Sequence, residues 1–145
     1  MSFLLLVLTE DTQEIENKRE MEATAKLRNC PLSARKMRLV CDLVRDRSVD
    51  DALNVLKFTK KEAAEWLEKV LLSAISNWEN QANMAYSAAD YDLYVKEVFS
   101  DDGAFLKRFR PAPHGRAHRI RKRTNHVTLV VENRVEIDNL NDEEE

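Results

Sequence analysis

Between Gly103 and Val131 the chain reads GAFLKRFRPAPHGRAHRIRKRTNHVTLVV, a run that holds Lys107, Arg108, Arg110, Arg116, Arg119, Arg121, Lys122 and Arg123 and no Asp or Glu. Such a segment does not bury itself in protein, because an unpaired guanidinium in an apolar interior costs several kcal/mol. It therefore needs anionic surroundings. The whole chain carries 23 Lys+Arg against 26 Asp+Glu, so without these eight cations the balance is 15 against 26. The basic charge is concentrated, and the remainder of the chain is acidic.

The flanks of the run fix its shape. On one side Tyr91, Leu93 and Val95 alternate with Tyr94, Lys96 and Val98, and on the other Val127, Leu129 and Val131 alternate with Thr128, Val130 and Glu132. Alternation with period two marks strands. Pro111-Ala112-Pro113-His114-Gly115 stands between them as a turn signal. These features predict one antiparallel hairpin, protruding over residues 101–125, with its base in a sheet and its distal part basic. Arms of about ten residues beyond the sheet would reach roughly 30 Å. An isolated two-stranded ribbon is marginal in water, so the distal part is expected to be mobile until an anionic partner encloses it.

The rest of the chain reads as one domain over residues 21–135. At 145 residues, 43% hydrophobic and 34% charged, it suffices for one core but not two. Ala23, Ala25 and Leu27 alternate with Thr24, Lys26 and Arg28, predicting a strand with one basic face. Pro31 ends it, and Ser33 is placed to cap a helix whose apolar positions are Met37, Val40, Cys41 and Val44. Arg35, Lys36 and Arg38 crowd the start of that helix, where the macrodipole disfavours cations, and an external phosphate would resolve the conflict. Ser48 with Asp51 predicts a second helix to Phe58, and Thr59 with Glu62 predicts the start of a third. On the third, Ala63, Leu67, Val70, Leu71, Ala74, Ile75 and Trp78 form one apolar stripe, with Trp66 off it. Gln81 to Asp90 reads as a loop.

The ends read as appendages. Residues 1–20 predict a disordered extension, with Met1 and Met21 both available as starts, and residues 136–145 an acidic tail. The apolar run Phe3–Leu8 falls far short of the ~20 residues that span a bilayer, and no Lys or Arg precedes it as a signal peptide requires. No membrane partner is expected. Cys30 and Cys41 lack ligand or framework spacing and read as reduced thiols.

A nucleic-acid backbone is the partner with the most phosphate per length, and Phe105 and Phe109 among the cations suit stacking on unpaired bases, which favours structured RNA over duplex DNA. A charge run is often only a solvated surface or a localisation signal. Here Arg outnumbers Lys, strands flank the run and a turn centres it, which favours bidentate phosphate contacts. Catalysis finds no support. There is no phosphate-cradling glycine loop, nucleophile elbow or paired carboxylate in an apolar setting. His114, His118 and His126 lie among arginines around Gly115, which argues against a helical metal site. No enzyme activity, cofactor or metal is expected.

Ser33-Ala34-Arg35-Lys36-Met37-Arg38-Leu39-Val40, Ala52-Leu53, Lys60-Lys61-Glu62-Ala63-Ala64, Ser73-Ala74-Ile75-Ser76-Asn77 and LKRFRPAPHGRAHRIRKRTNHVTLVV together resemble the bacterial large-subunit ribosomal protein L-twenty-two family, in the same order from Met21 to about Val131. The resemblance implies an α+β fold, three helices packed on a small antiparallel sheet with a long protruding β-hairpin. It implies a structural role in the large ribosomal subunit, at a cytoplasmic location, with large-subunit rRNA and neighbouring large-subunit proteins as partners. The rRNA-binding set would be Lys26, Arg28, Arg35, Lys36, Arg38, Lys107, Arg108, Arg110, Arg116, Arg119, Arg121, Lys122 and Arg123. The resemblance also implies that the hairpin helps early assembly and lines the exit tunnel of the nascent polypeptide. Leu106, Lys107 and Arg108 would then match the tunnel constriction near which macrolides act, and Pro113, His114, Gly115 and Arg116 the tip. The family is strongly basic, whereas this chain is formally −3. A free-standing RNA-binding or assembly module is the alternative.

Overall fold

The computed structural model describes residues 21–82 and 91–134. The predicted extension over residues 1–20, the tail over 136–145 and most of the loop expected from Gln81 lie outside the described residues.

Three helices and three strands follow in the order β1 (Glu22–Cys30), α1 (Ala34–Val44), α2 (Val49–Phe58), α3 (Glu62–Gln81), β2 (Leu93–Ala112) and β3 (Arg116–Asn133). The strands form one antiparallel sheet in the order β1-β3-β2, which confirms the α+β class with its long hairpin. Alternation puts Ala23 and Ala25 of β1 and Val127, Leu129 and Val131 of β3 on the inner face, with Ala25 opposite Leu129 and Leu27 opposite Val127. The helices close over that face. Met37, Val40, Cys41 and Val44 of α1, Ala52 and Leu56 of α2, and Leu67, Leu71, Ala74 and Trp78 of α3 are buried at the predicted positions. Trp78 is wholly buried, and its Nε1 donates to the Met21 carbonyl at 3.3 Å. Among the described residues no helix is long and apolar enough to cross a membrane.

Four local expectations need correction. Ser33 holds the N-cap position of α1, but its hydroxyl makes no capping bond. Val98 does not share a face with Tyr94 and Lys96; a bulge between Val95 and Glu97 resets the alternation, so Val95 and Val98 are both buried. Thr59 does not cap α3. It ends α2, donating its hydroxyl to the Val55 carbonyl at 2.6 Å, and Lys61 occupies the N-cap position of α3. Glu62 then begins α3 instead of completing a capping box, and its charge still complements the helix dipole. Gln81 is helical, so α3 runs into the stretch expected to be loop. The Ser48 cap is as expected, with its hydroxyl accepting from the Asp51 N–H at 3.4 Å.

The free edge of β2 is covered from within. Asp46 N–H donates to the Val95 carbonyl at 3.0 Å and Val95 N–H to the Arg47 carbonyl at 2.9 Å. Farther along, Arg45 reaches the Val98 carbonyl at 3.2 Å and Arg38 Nε the Ser100 carbonyl at 3.0 Å. An edge with its acceptors occupied is a poor template for another strand. At the opposite edge Asn77 of α3 donates to the Thr24 carbonyl at 3.0 Å.

Candidate nucleic-acid interface

β1 pairs with β3 only as far as Cys30 opposite Asn125. Beyond that point β2 and β3 continue alone, in unbroken register from Phe105 opposite Arg123 to Ala112 opposite Arg116. The root of this ribbon is a close approach of two backbones. A Cβ on Gly103 would lie 2.5 Å from Thr124 Oγ1 and 3.2 Å from the Thr124 carbonyl carbon, so a larger residue would displace the Thr124 side chain and press on the facing arm. At the tip the chain reverses through Pro113-His114-Gly115, with His114 at φ 63° and Gly115 at φ 65°. Gly115 takes this left-handed conformation freely, and His114 does so at a steric cost.

Residues directly opposite in an antiparallel pair share a face, and successive residues alternate. The register therefore sorts the ribbon into two surfaces. One carries Phe105, Lys107 and Phe109 with Arg119, Arg121 and Arg123; the other carries Leu106, Arg108 and Arg110 with Arg116, His118, Ile120 and Lys122. Each face thus holds four of the eight cations, and none of the eight has a carboxylate partner among the described residues. Phe109 is 81% exposed, while Arg121 lies over the Phe105 ring at 5.2 Å from its centroid. A ribbon basic on one side would lie on a surface. A ribbon basic on both sides can meet an anionic partner on either side.

The five body residues expected to meet RNA fall into three groups. Lys26 and Arg28 project from the solvent face of β1 and border a cleft with His126, whose Nδ1 accepts the Asn29 N–H at 3.0 Å. That bond places the proton of the neutral ring on Nε2. Lys36, exposed in the first turn of α1, borders a cleft of about 470 Å³ shared with Leu106 and Lys122 at the ribbon root. Arg35 is exposed beside it. Arg38 is committed elsewhere, because besides Ser100 it faces Asp102 at 4.0 Å and holds the β2 edge. Leu106–Arg108 lie near the root and Pro113–Arg116 at the tip, and the seven steps from Leu106 to Pro113 span roughly 23 Å.

Sequence reasoning passed over Asn125. It is fully buried, and its Nδ2 donates to the Leu32 carbonyl at 3.0 Å, tying the turn before α1 to the ribbon root. The sequence shows only an Asn at the end of a basic run, and the partner lies 93 residues away. The two cysteines take no part. Burial pushes the Cys30 thiol up and raises Cys41 to about 11, leaving both protonated and inert.

Comparison with known proteins matches residues 25–132 to the family described as Ribosomal protein L22p/L17e. The chain is 55% identical over 122 residues to the large ribosomal subunit protein uL22 of Christiangramia forsetii, covering 84% of this chain and 90% of that protein. To the uL22 of Flavobacterium johnsoniae it is 62% identical over 109 residues, covering 75% and 79%. To that of Bacteroides fragilis it is 56% identical over 110 residues, covering 76% and 79%.

Proposed function

The chain belongs to the ribosomal protein L22p/L17e family and is a structural protein of the large ribosomal subunit; from that premise we propose that its ribbon binds large-subunit rRNA by inserting between RNA segments. The observation that carries this reading is the split of cations, four to each face with no acid partner among the described residues. RNA offers phosphate on every side of a narrow cavity, and counterion release supplies the affinity. Phe105 and Phe109 add rings on which unpaired bases stack. Lys26, Arg28, Arg35 and Lys36 extend the contact onto the body, whereas Arg38 contributes chiefly by holding the ribbon root.

The finer role follows the same geometry. A two-stranded arm extending about 30 Å past the body is slender enough to reach deep into folded RNA. There Leu106, Lys107 and Arg108 and the tip residues Pro113, His114, Gly115 and Arg116 would face the exit tunnel and the nascent polypeptide. Stapling separate RNA segments early would favour subunit assembly, and neighbouring subunit proteins would meet the body. Residues 1–20 and 136–145 would be extensions that leave the single domain unaltered. Sedimentation tests retention. Co-migration with the large subunit through a high-salt gradient supports the proposal, and release to the top of the gradient supports a free-standing assembly module.

A further inference from the structure

Resting on the RNA-binding reading, we propose that the cleft at the ribbon root is a receptor for one unpaired nucleotide, its base held on an apolar floor and its phosphate on a basic rim. The cleft encloses about 470 Å³, within the roughly 300–1,000 Å³ typical of small-ligand sites. Its floor is Pro31 and Leu32 from the turn before α1 and Leu106 from β2; Leu106 is 56% exposed, an apolar surface that nothing in the body covers. Its rim carries Lys36 on one side and Lys122, directly opposite Leu106 across the ribbon, on the other. Ser33 adds a hydroxyl that makes no capping bond to its own helix. Among the described residues no carboxylate borders the cleft. Arg121, Arg123 and Thr124 of β3 complete the lining, and Arg121 is stacked on Phe105.

The two walls come from distant parts of the chain, yet they are locked together. Buried Asn125 binds the Leu32 carbonyl at 3.0 Å, so the turn and the ribbon root hold one relative position before any ligand arrives. A prearranged slot lined by apolar side chains and by cations fits a flat aromatic ring joined to an anion. A paired duplex presents phosphates but keeps its bases stacked inside, and cannot fill the floor. Recognition by splayed-out bases is the usual route to specificity in RNA. This cleft would make the ribbon root a point where one nucleotide sets the register of the whole arm.

Methyl and backbone-amide NMR on the full-length chain test this, with two probes: a short unpaired oligoadenylate and an RNA duplex matched in phosphate number. The unpaired strand is expected to shift the Leu32 and Leu106 methyl resonances upfield by ring current, and the duplex to move only ribbon arginine and lysine signals. Leu106→Ala, at an exposed position that the fold does not need, should weaken the unpaired strand by roughly fivefold, from the apolar surface no longer covered, and leave duplex affinity unchanged. Equal methyl shifts with both probes, or still methyls while ribbon signals move, would overturn the nucleotide site and leave the RNA reading standing. If neither probe moved any ribbon signal, RNA binding itself would fail and the cleft assignment with it.

Discussion

Replacing Arg119, Arg121 and Arg123 together by Ala removes three of the eight ribbon cations, all from the face that carries Phe105 and Phe109. None of the three has a carboxylate partner in the described part of the body, so the unfolding midpoint of the isolated protein should not move. RNA affinity should change in a defined way. If each cation neutralises one phosphate, the slope of log K against log salt is about −6 for unpaired RNA and about −7 for a duplex. Five cations leave a slope of about −3.5 to −4.5. Raising salt from about 50 to about 200 mM should then cost the parent roughly three and a half to four decades of affinity, and the variant only about two to two and a half. Fluorescence anisotropy with a large-subunit rRNA fragment at four or more salt concentrations measures both slopes. An unchanged slope in a folded variant would refute the premise that this face meets phosphate.

Other consequences are local. Trp78→Ala empties the largest fully buried side-chain volume and orphans the Met21 carbonyl, and should cost about 3–5 kcal/mol in urea unfolding; a loss below about 1 kcal/mol would mean that α3 is not the main packing element. Lys96 is held well above the usual lysine range, first by its hydrogen bond to Glu132 at 2.8 Å and then by that to Glu22. A raised folded-state value stabilises fully below the unfolded lysine value of about 10.4 and is lost as pH climbs through the folded one. Stability should therefore fall in strong alkali in the parent and lose that component in Lys96→Met, and identical profiles would exclude the coupling. With its thiol raised to about 11, Cys41 should react with a disulfide reagent at mild alkaline pH only as fast as the protein opens; rapid labelling of native protein would show that the α1 core is porous. Deleting Leu106–Arg108 removes an odd number of residues from one arm and inverts the faces beyond it. Subunits carrying the deletion should show an altered tunnel wall and macrolide response, and an unaltered response would place these residues away from the tunnel.

What the sequence disclosed was periodic. The spacing of Met37, Val40, Cys41 and Val44, the long stripe ending at Trp78 and the alternation about Leu129 each report one element's buried face, and each holds in the structure. The failures lie where one residue breaks a period or where a distant partner decides. Lys96 is the extra residue of a bulge, so counting by two put Val98 on the wrong face. Thr59 was compatible with capping the next helix or closing the previous one, and only its bond to the Val55 carbonyl distinguishes them. Arg38 has the same composition signal as Lys36, but the edge of β2 claims it. The cation split also needed structure, since it depends on how the turn at Pro113–Gly115 registers the two arms. Asn125 and Leu32 meet through tertiary folding alone.

A density map of the large subunit containing this chain, at side-chain resolution, tests the account most directly. The split of cations predicts RNA against both faces of the ribbon, with phosphate oxygens about 2.7–2.9 Å from guanidinium nitrogens of Arg119, Arg121 and Arg123 on one side and of Arg108, Arg110 and Arg116 on the other. A ribbon with one face open to solvent or packed on protein would contradict it.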